Sequence, residues 1–179
     1  MIRCFLLIIV ITCFGCSRKK EKTDILTAIK ETGKLVTAEY TLTKIIKAND
    51  NKTWYKIGDR KILMSCEAHL KAGIDLQKIS NKNVEQNDST ILLHLPPAQV
   101  FSLSIPPDKI QLQYQDITLL RDAFSAAERE QLLGQAQRQI EQLADSLGIL
   151  KTAEENAALF IRRMLQSTTT KKINVSFTQ

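Results

Sequence analysis

The sequence predicts an α+β protein, with a largely antiparallel or mixed sheet of short strands followed by a long amphipathic helix, a second helix and a closing strand. Three observations predict this order. Apolar and polar residues alternate over Arg60–Ile79, and a period of two is typical of a strand with one buried face. Two helix-capping sequences, at Ser125 and at Thr152, begin apolar stripes of helical period. Alternation then returns over Ile173–Phe177.

Residues 1–15 predict a lipoprotein-type signal peptide. Arg3 precedes an apolar run from Cys4 to Phe14, a positive segment followed by a short hydrophobic one. The run is shorter than the roughly 20 apolar residues that a transmembrane helix needs. Gly15-Cys16 resembles the cleavage site of a bacterial lipoprotein, where the cysteine is lipidated on sulfur and acyl chains such as palmitate anchor the new N-terminus. An ordinary cleaved signal and an uncleaved anchor are the alternatives.

Residues 16–23 are predicted to form the lipidated N-terminus and a short basic tether, and residues 24–179 a single α+β domain. The formal net charge is +6, and Arg18–Lys22 carries many of the positive charges, which favours an anionic lipid surface. No basic groove with interleaved aromatic residues follows, so we expect no nucleic-acid partner. These features predict a membrane-anchored lipoprotein of the bacterial cell envelope that faces the periplasm.

The first element after the tether is a short helix, predicted over Asp24–Thr32. Thr23 or Asp24 would be its N-cap, and Gly33 would follow its end. Alternation and a high threonine content predict a strand over Lys34–Lys47, followed by a turn.

The central stretch predicts a hairpin over Thr53–Lys71, with its turn at Gly58–Arg60. Gly73 interrupts the pattern and, with Asp75, predicts a structural turn, because these residue types dominate turns for conformational reasons. Asp75 can also cap a short helical turn over Asp75–Ile79. A functional carboxylate at Asp75 is the alternative.

Three short strands are predicted next, over Ile91–Leu95, Gln99–Ile105 and Lys109–Gln115, after a polar surface loop at Ser80–Ser89. A proline pair follows each of the first two strands. Because proline cannot donate to a strand ladder, these pairs predict bends between the strands.

A long helix is predicted over Ala126–Leu147, and a second helix after a capping box at Thr152–Glu155. Gly148 would separate them. Apolar residues of each helix fall on one stripe, which we expect to pack on the sheet or on the other helix. The predicted buried stripes are Leu132, Leu133, Ala136, Ile140, Leu143, Ala144 and Leu147, and then Ala157, Phe160, Ile161, Met164 and Leu165.

Few residues carry the chemistry of a reaction. Cys66 falls on the buried face of the central strand, opposite His69, so the two cannot form a nucleophile–base pair there. His69 and His94 have no metal-ligand spacing, and no phosphate-binding, dinucleotide-binding or hydrolase motif is present. Glu39 and Glu67 are carboxylates with no evident partner. We therefore expect no cofactor and no metal, and we assign no catalytic residue.

Four segments resemble a bacterial family catalogued as domain of unknown function 4230: Leu35–Tyr40, Lys71–Leu76, Leu95–Ala98 and Ala127–Arg138. The resemblance covers roughly Asp24–Phe177. It implies an α+β domain that is often membrane-attached, and it implies no activity. The order of elements is also similar to the stomatin–prohibitin–flotillin domain, whose members sit on membranes and oligomerise.

Together these observations predict a lipid-anchored envelope protein that serves as a non-enzymatic binding or scaffolding module. Its expected partners are the membrane, through the N-terminal lipid, and either a second copy of the chain or another envelope protein. Two alternatives stay open: an envelope enzyme with carboxylate-based chemistry, and a carrier of a small apolar ligand.

Overall fold

The computed structural model describes residues 18–50, 57–118 and 120–178, with side chains from residue 25 onward. Three helices and seven strands are found there, with short 3₁₀ turns at Leu76–Lys78, Asn81–Asn83 and Pro107–Lys109. In chain order they are α1 (Arg18–Glu31), β1 (Lys34–Asp50), β2 (Arg60–Asp75), β3 (Val84–Gln86), β4 (Thr90–Leu95), β5 (Gln99–Ser104), β6 (Ile110–Ile117), α2 (Ala126–Ser146), α3 (Ile149–Gln166) and β7 (Lys172–Phe177).

The strands form two sheets, which confirms the predicted α+β class. In the four-stranded sheet β2 pairs with β1 on one side, and with both β6 and β5. Both of these pairings are antiparallel: β6 follows β2 from Arg60 to Cys66, and β5 follows it from His69 to Gly73. The three-stranded sheet has the order β3-β4-β7, with β4 and β7 parallel.

The chain divides into two compact units. The first takes the described parts of residues 1–33, 75–96 and 160–179, and the second those of 34–74 and 97–159. Because each unit draws on separate stretches of chain, neither can be read as a contiguous sequence segment. The prediction of one domain over 24–179 stays a prediction.

The core of the first unit lies on one face of the three-stranded sheet. Ile91, Leu93 and Leu95 alternate inward along β4, and each is fully buried. Gly33 adopts φ +69° at the end of α1, as a C-terminal glycine should, and its carbonyl accepts from Leu76 N at 3.0 Å. The other buried apolar residues of this unit are Ile25, Leu26, Ile29, Leu76, Ile79, Val84, Ile161, Leu165 and Ile173.

The core of the second unit confirms the predicted inward face of the central strand, with Ile62, Met64, Cys66, Ala68 and Leu70 all buried. A hydrophobic cluster joins this strand to β1 and α2; its buried members are Ile46, Ile62, Met64, Cys66, Phe124 and Ala136. On α3 the buried residues of this unit are Ile149, Ala153 and Ala157.

The turn predicted at Gly73 is wrong. β2 continues through Gly73 to Asp75, and the positive-φ glycines among the described residues are Gly33, Gly58 and Gly148. A Cβ on Gly73 would clash with the Leu35 carbonyl oxygen and would lie 2.8 Å from the carbonyl carbon. Glycine is therefore required by the close approach of a neighbouring backbone, and the chain turns only afterwards, at Leu76–Lys78.

Asp75 acts as predicted at the start of this turn, where its Oδ1 accepts a hydrogen bond from Gln77 N at 3.2 Å. The capping box at Ser125 is also confirmed: Ser125 Oγ accepts from Glu128 N, and Glu128 Oε2 accepts from Ser125 N. The second capping box is wrong, because α3 already begins at Ile149 and Thr152 Oγ1 instead donates to Gly148 O at 3.0 Å.

Several predicted boundaries also move. α1 begins at Arg18, within the predicted tether and before the predicted N-cap, and β1 extends into the predicted turn as far as Asp50. Residues 53–56 of the predicted hairpin lie outside the described part. The buried row of α2 contains only Ala136, Ile140 and Ala144, and the surface exposes three residues that the helical stripes predicted as buried: Leu143, Leu147 and Phe160.

We predict that Gly73→Ala destabilises the protein by about 2 kcal/mol or more, because the added methyl group must displace the Leu35 backbone. Chemical unfolding measures the effect. Gly134→Ala is the matched control, since its Cβ would meet nothing closer than 3.7 Å and removing a mid-helix glycine should stabilise by about 0.5–1 kcal/mol. Equal stabilities of Gly73→Ala and the wild type would contradict the close approach.

Candidate functional site

A cluster of four charged side chains lies where β1 ends, β2 begins and α2 begins. This four-charge cluster comprises Asp50, Arg60, Arg121 and Glu128. Arg60 Nε donates to Asp50 Oδ2 at 3.0 Å, and its two terminal nitrogens donate to the two oxygens of Glu128, one of them at 3.2 Å. Arg121 also donates to Asp50 Oδ2. The Arg60 guanidinium lies 4.3 Å from the centroid of the Phe124 ring, close enough for a cation–π contact.

The electrostatics of the cluster follow from this geometry. Only 13% of the Arg60 side chain and 8% of the Arg121 side chain is exposed. The hydrogen bonds from Arg60, followed by those from Ser125, lower the pKa of Glu128 to about 2. The hydrogen bond to Glu128 in turn raises the pKa of Arg60, against the effect of burial. Glu128 therefore stays ionised near neutral pH, which suits an ion pair better than proton transfer.

A second polar group lies on the three-stranded sheet, on the face opposite the core residues of β4. We call Glu85, His94 and Ser176 the polar row. Ser176 Oγ lies 2.8 Å from His94 Nδ1, and His94 Nε2 lies 3.7 Å from Glu85 Oε1. Ser176 Oγ also lies 3.4 Å from Leu93 O. The row therefore joins a hydroxyl, an imidazole and a carboxylate from three strands.

An open cleft of about 280 Å³ adjoins the polar row and shares Glu85 with it. Leu92 contributes the apolar part of its lining. The remaining lining residues are Gln86, Asn87, Thr90 and Asn174.

The sequence did not predict the polar row. His94 and Ser176 are 82 residues apart and meet only because β4 and β7 pair in parallel. Local alternation places each on the polar face of its strand, but no local signal indicates which strands pair.

The site residues predicted from sequence do not converge on a reaction. Gly15 and Cys16, the predicted cleavage and lipidation site, lie outside the described residues. The Asp75 carboxylate caps the turn through Gln77 N, and its Oδ2 lies 3.8 Å from Lys78 Nζ. The other two carboxylates considered from the sequence also have cationic neighbours. Glu39 Oε1 lies 3.3 Å from Lys71 Nζ, and Glu67 Oε2 lies 3.9 Å from Lys109 Nζ.

The thiol is buried as predicted. Cys66 is 1% exposed, and burial raises the pKa of its thiol above its usual value. His69 is directed elsewhere: its Nδ1 lies 3.2 Å from Thr41 Oγ1. No group of three or more metal-ligating side chains comes together within the described ranges. None of the helices described there is long and apolar enough to cross a membrane.

Comparison with known proteins gives one family. The family model described as "Protein of unknown function (DUF4230)" matches residues 27–175. No curated protein and no solved structure gives a significant match.

We predict that acid destabilises the wild type more than Glu128→Gln between pH 4.5 and 2. The folded-state pKa of Glu128 is lowered from 4.5 to about 2, so its stabilising ionisation is present above 4.5 and is lost as the pH falls toward 2. Urea unfolding at several pH values measures this. Glu141→Gln, on the same helix but outside the cluster, is the control and should follow the wild type. Parallel curves for all three proteins would exclude the pairing.

Proposed function

The chain belongs to the DUF4230 family of proteins of unknown function, and on that premise we propose that it is a lipid-anchored protein of the bacterial cell envelope that acts as a binding or scaffolding module. The leader and Gly15-Cys16 support anchoring at a membrane, with the body facing the periplasm. The partner that we propose for this module is a second copy of the same chain.

The observation that carries the scaffolding proposal is the outward face of α2. Ala127, Glu130 and Arg138 are exposed there, around Gly134, and a shallow groove of about 560 Å³ follows this face. Gly134 lines this groove, away from the buried row of α2, and carries no side chain. Another helix can therefore approach its backbone closely, as at the small-residue crossings of packed helices.

The charges on this face are arranged symmetrically about the glycine. Glu130 is four residues before Gly134 and Arg138 is four residues after it. If two copies of α2 cross in antiparallel orientation at Gly134, Glu130 of each copy faces Arg138 of the other, so one contact surface is complementary to itself. Neither residue has an ion-pair partner of its own chain among the described residues, so both are available to a second copy.

The strength of this association follows from its chemistry. Exposed ion pairs contribute about 0–1 kcal/mol each, so the two pairs and one helix crossing give a weak dimer in free solution. Tethering changes this balance, because a short flexible linkage raises the effective concentration of a partner to the millimolar range. A common membrane would confine the copies similarly, so we propose that association occurs chiefly between anchored copies.

One observation favours the second candidate, an envelope enzyme. It is the polar row, whose chemistry is that of a serine and a histidine and differs from the carboxylate-based chemistry that the sequence left open as an alternative. Of the carboxylates considered from the sequence, Glu39 and Glu67 lie beside lysines and Asp75 caps a turn, so we do not base the enzyme candidate on them.

We predict that Cys16→Ala abolishes lipidation, because the thiol that accepts the lipid is removed. Metabolic labelling with a radioactive or alkyne-bearing palmitate in a bacterial host measures incorporation, and gel mobility reports the uncleaved precursor. Cys13→Ala, three residues earlier in the leader, is the matched control and should still be labelled. Labelling that persists in Cys16→Ala would refute the lipoprotein assignment.

We predict that Glu130→Arg and Arg138→Glu each weaken self-association at least about tenfold, because each places like charges in both symmetric contacts. The double variant restores opposite charges and should associate nearly as well as the wild type. Sedimentation equilibrium on residues 17–179, up to millimolar concentration, measures the dissociation constants.

Glu155→Arg, on an exposed position of α3, is the charge-matched control and should leave association unchanged. A wild-type chain that stays monomeric at millimolar concentration would contradict the proposed crossing. So would a double variant that is no better than the two single ones.

A further inference from the structure

We propose that Ser176 is a nucleophile for acyl transfer, with His94 as its general base and Glu85 as the group that orients the imidazole. This inference goes beyond scaffolding and concerns the first unit alone, so it stands independently of the contact proposed on α2. Nucleophilic sites have this arrangement in common: a hydroxyl within hydrogen-bond reach of a base, and a third group that holds the base.

Strand pairing places the three groups on one face. In the parallel ladder His94 is the register partner of Ser176, and in the antiparallel one Glu85 is the register partner of Leu92. Because side chains alternate along a strand, Leu92 and His94 share a face, with Glu85 beside them. Ile91, Leu93 and Leu95 point to the opposite, buried face. The strand pairing thus brings the three side chains to one face of the sheet without any loop.

The distances assign a role to each imidazole nitrogen. Nε2 faces the Glu85 carboxylate at 3.7 Å, which favours a proton on that nitrogen. Nδ1 then carries the lone pair and accepts the hydroxyl proton of Ser176 across 2.8 Å. The competing acceptor of that proton, Leu93 O, is more distant at 3.4 Å.

The adjoining cleft indicates the class of substrate. Leu92 offers an apolar surface for a short acyl chain, and polar side chains surround it. Asn174 lies two residues before Ser176 on the same face of β7, and its side-chain amide can donate to an oxyanion beside the serine. The site therefore suits a small carboxylic ester whose acyl group lies over Leu92.

The reaction balances with water as the second substrate. Ser176 Oγ forms a bond to the carbonyl carbon while its proton passes to His94 Nδ1. The bond from that carbon to the leaving alcohol then breaks, and the alcohol takes the proton. Water attacks the acyl-serine with His94 again as the base, and the carboxylic acid leaves as the proton returns to Ser176.

A fluorophosphonate probe tests the nucleophile directly, because the reactive serine displaces fluoride and forms a stable phosphonate ester. The full-length chain in detergent is treated with the probe, and peptide mass spectrometry measures the labelling rate at each serine. We expect Ser176 to react on the order of 100-fold faster than Ser102, an exposed serine on β5, as assistance by a general base predicts. Ser176→Ala should remove this fast labelling and Ser102→Ala should not.

The variant His94→Gln distinguishes loss of the general base from loss of the folded structure. It should slow labelling at Ser176 by a similar factor while circular dichroism stays unchanged. Labelling at Ser176 no faster than at Ser102 in the wild type would overturn the proposal whatever the variants do. Fast labelling that survives in folded His94→Gln would overturn the assignment of His94. Hydrolysis of p-nitrophenyl acetate that is lost in Ser176→Ala would support turnover beyond the first step.

Discussion

The second unit depends on the contacts that the Arg60 guanidinium makes with two carboxylates and one aromatic ring. The guanidinium stands at the first residue of the central strand and binds the last residue of β1 and the first turn of α2 at once. Its face also covers Phe124, a member of the hydrophobic cluster. Because the side chain is only 13% exposed, loss of both carboxylate partners, Asp50 and Glu128, would leave a largely buried charge without compensation. The position of α2 on the sheet is thereby fixed at its N-terminus.

The same cluster joins local and long-range structure. Glu128 Oε2 accepts from Ser125 N in the cap of its own helix and also from Arg60, 68 residues away, while Oε1 accepts from Arg60 alone. The cap determines the residue at which α2 begins, and the ion pair holds the first turn of α2 against the first residue of β2. The Ala136–Ile140–Ala144 row then lies on the core side of the helix, which leaves Gly134 in the lining of the outer groove, where we propose contact with a second copy.

The features predicted correctly from sequence are those that short-range chemistry decides. A period of two defined the inward face of β2, and Ser-x-x-Glu defined the start of α2, because both depend on neighbours within a few residues. Thr152 failed as a cap since Gly148 had already ended the previous helix and let α3 begin at Ile149. Gly73 failed as a turn since its requirement comes from the Leu35 backbone of another strand.

The candidate sites divide in the same way. The leader and Cys16 are local motifs, and they support anchoring from sequence alone. The four-charge cluster and the polar row exist only through pairing of distant segments, and sequence reasoning could at most place their members on polar strand faces or near a cap. Each compact unit thus carries its own feature, an outward helix face in one and a serine–histidine pair in the other.

The charges of the four-charge cluster hold elements of the second unit together. A double-mutant cycle on Arg60→Met and Glu128→Gln, with unfolding free energies measured in urea, tests this most directly. We expect strong non-additivity, with the double variant more stable than the sum of the two single losses allows. Additive losses, equal within experimental error, would show that the pair does not couple β2 to α2.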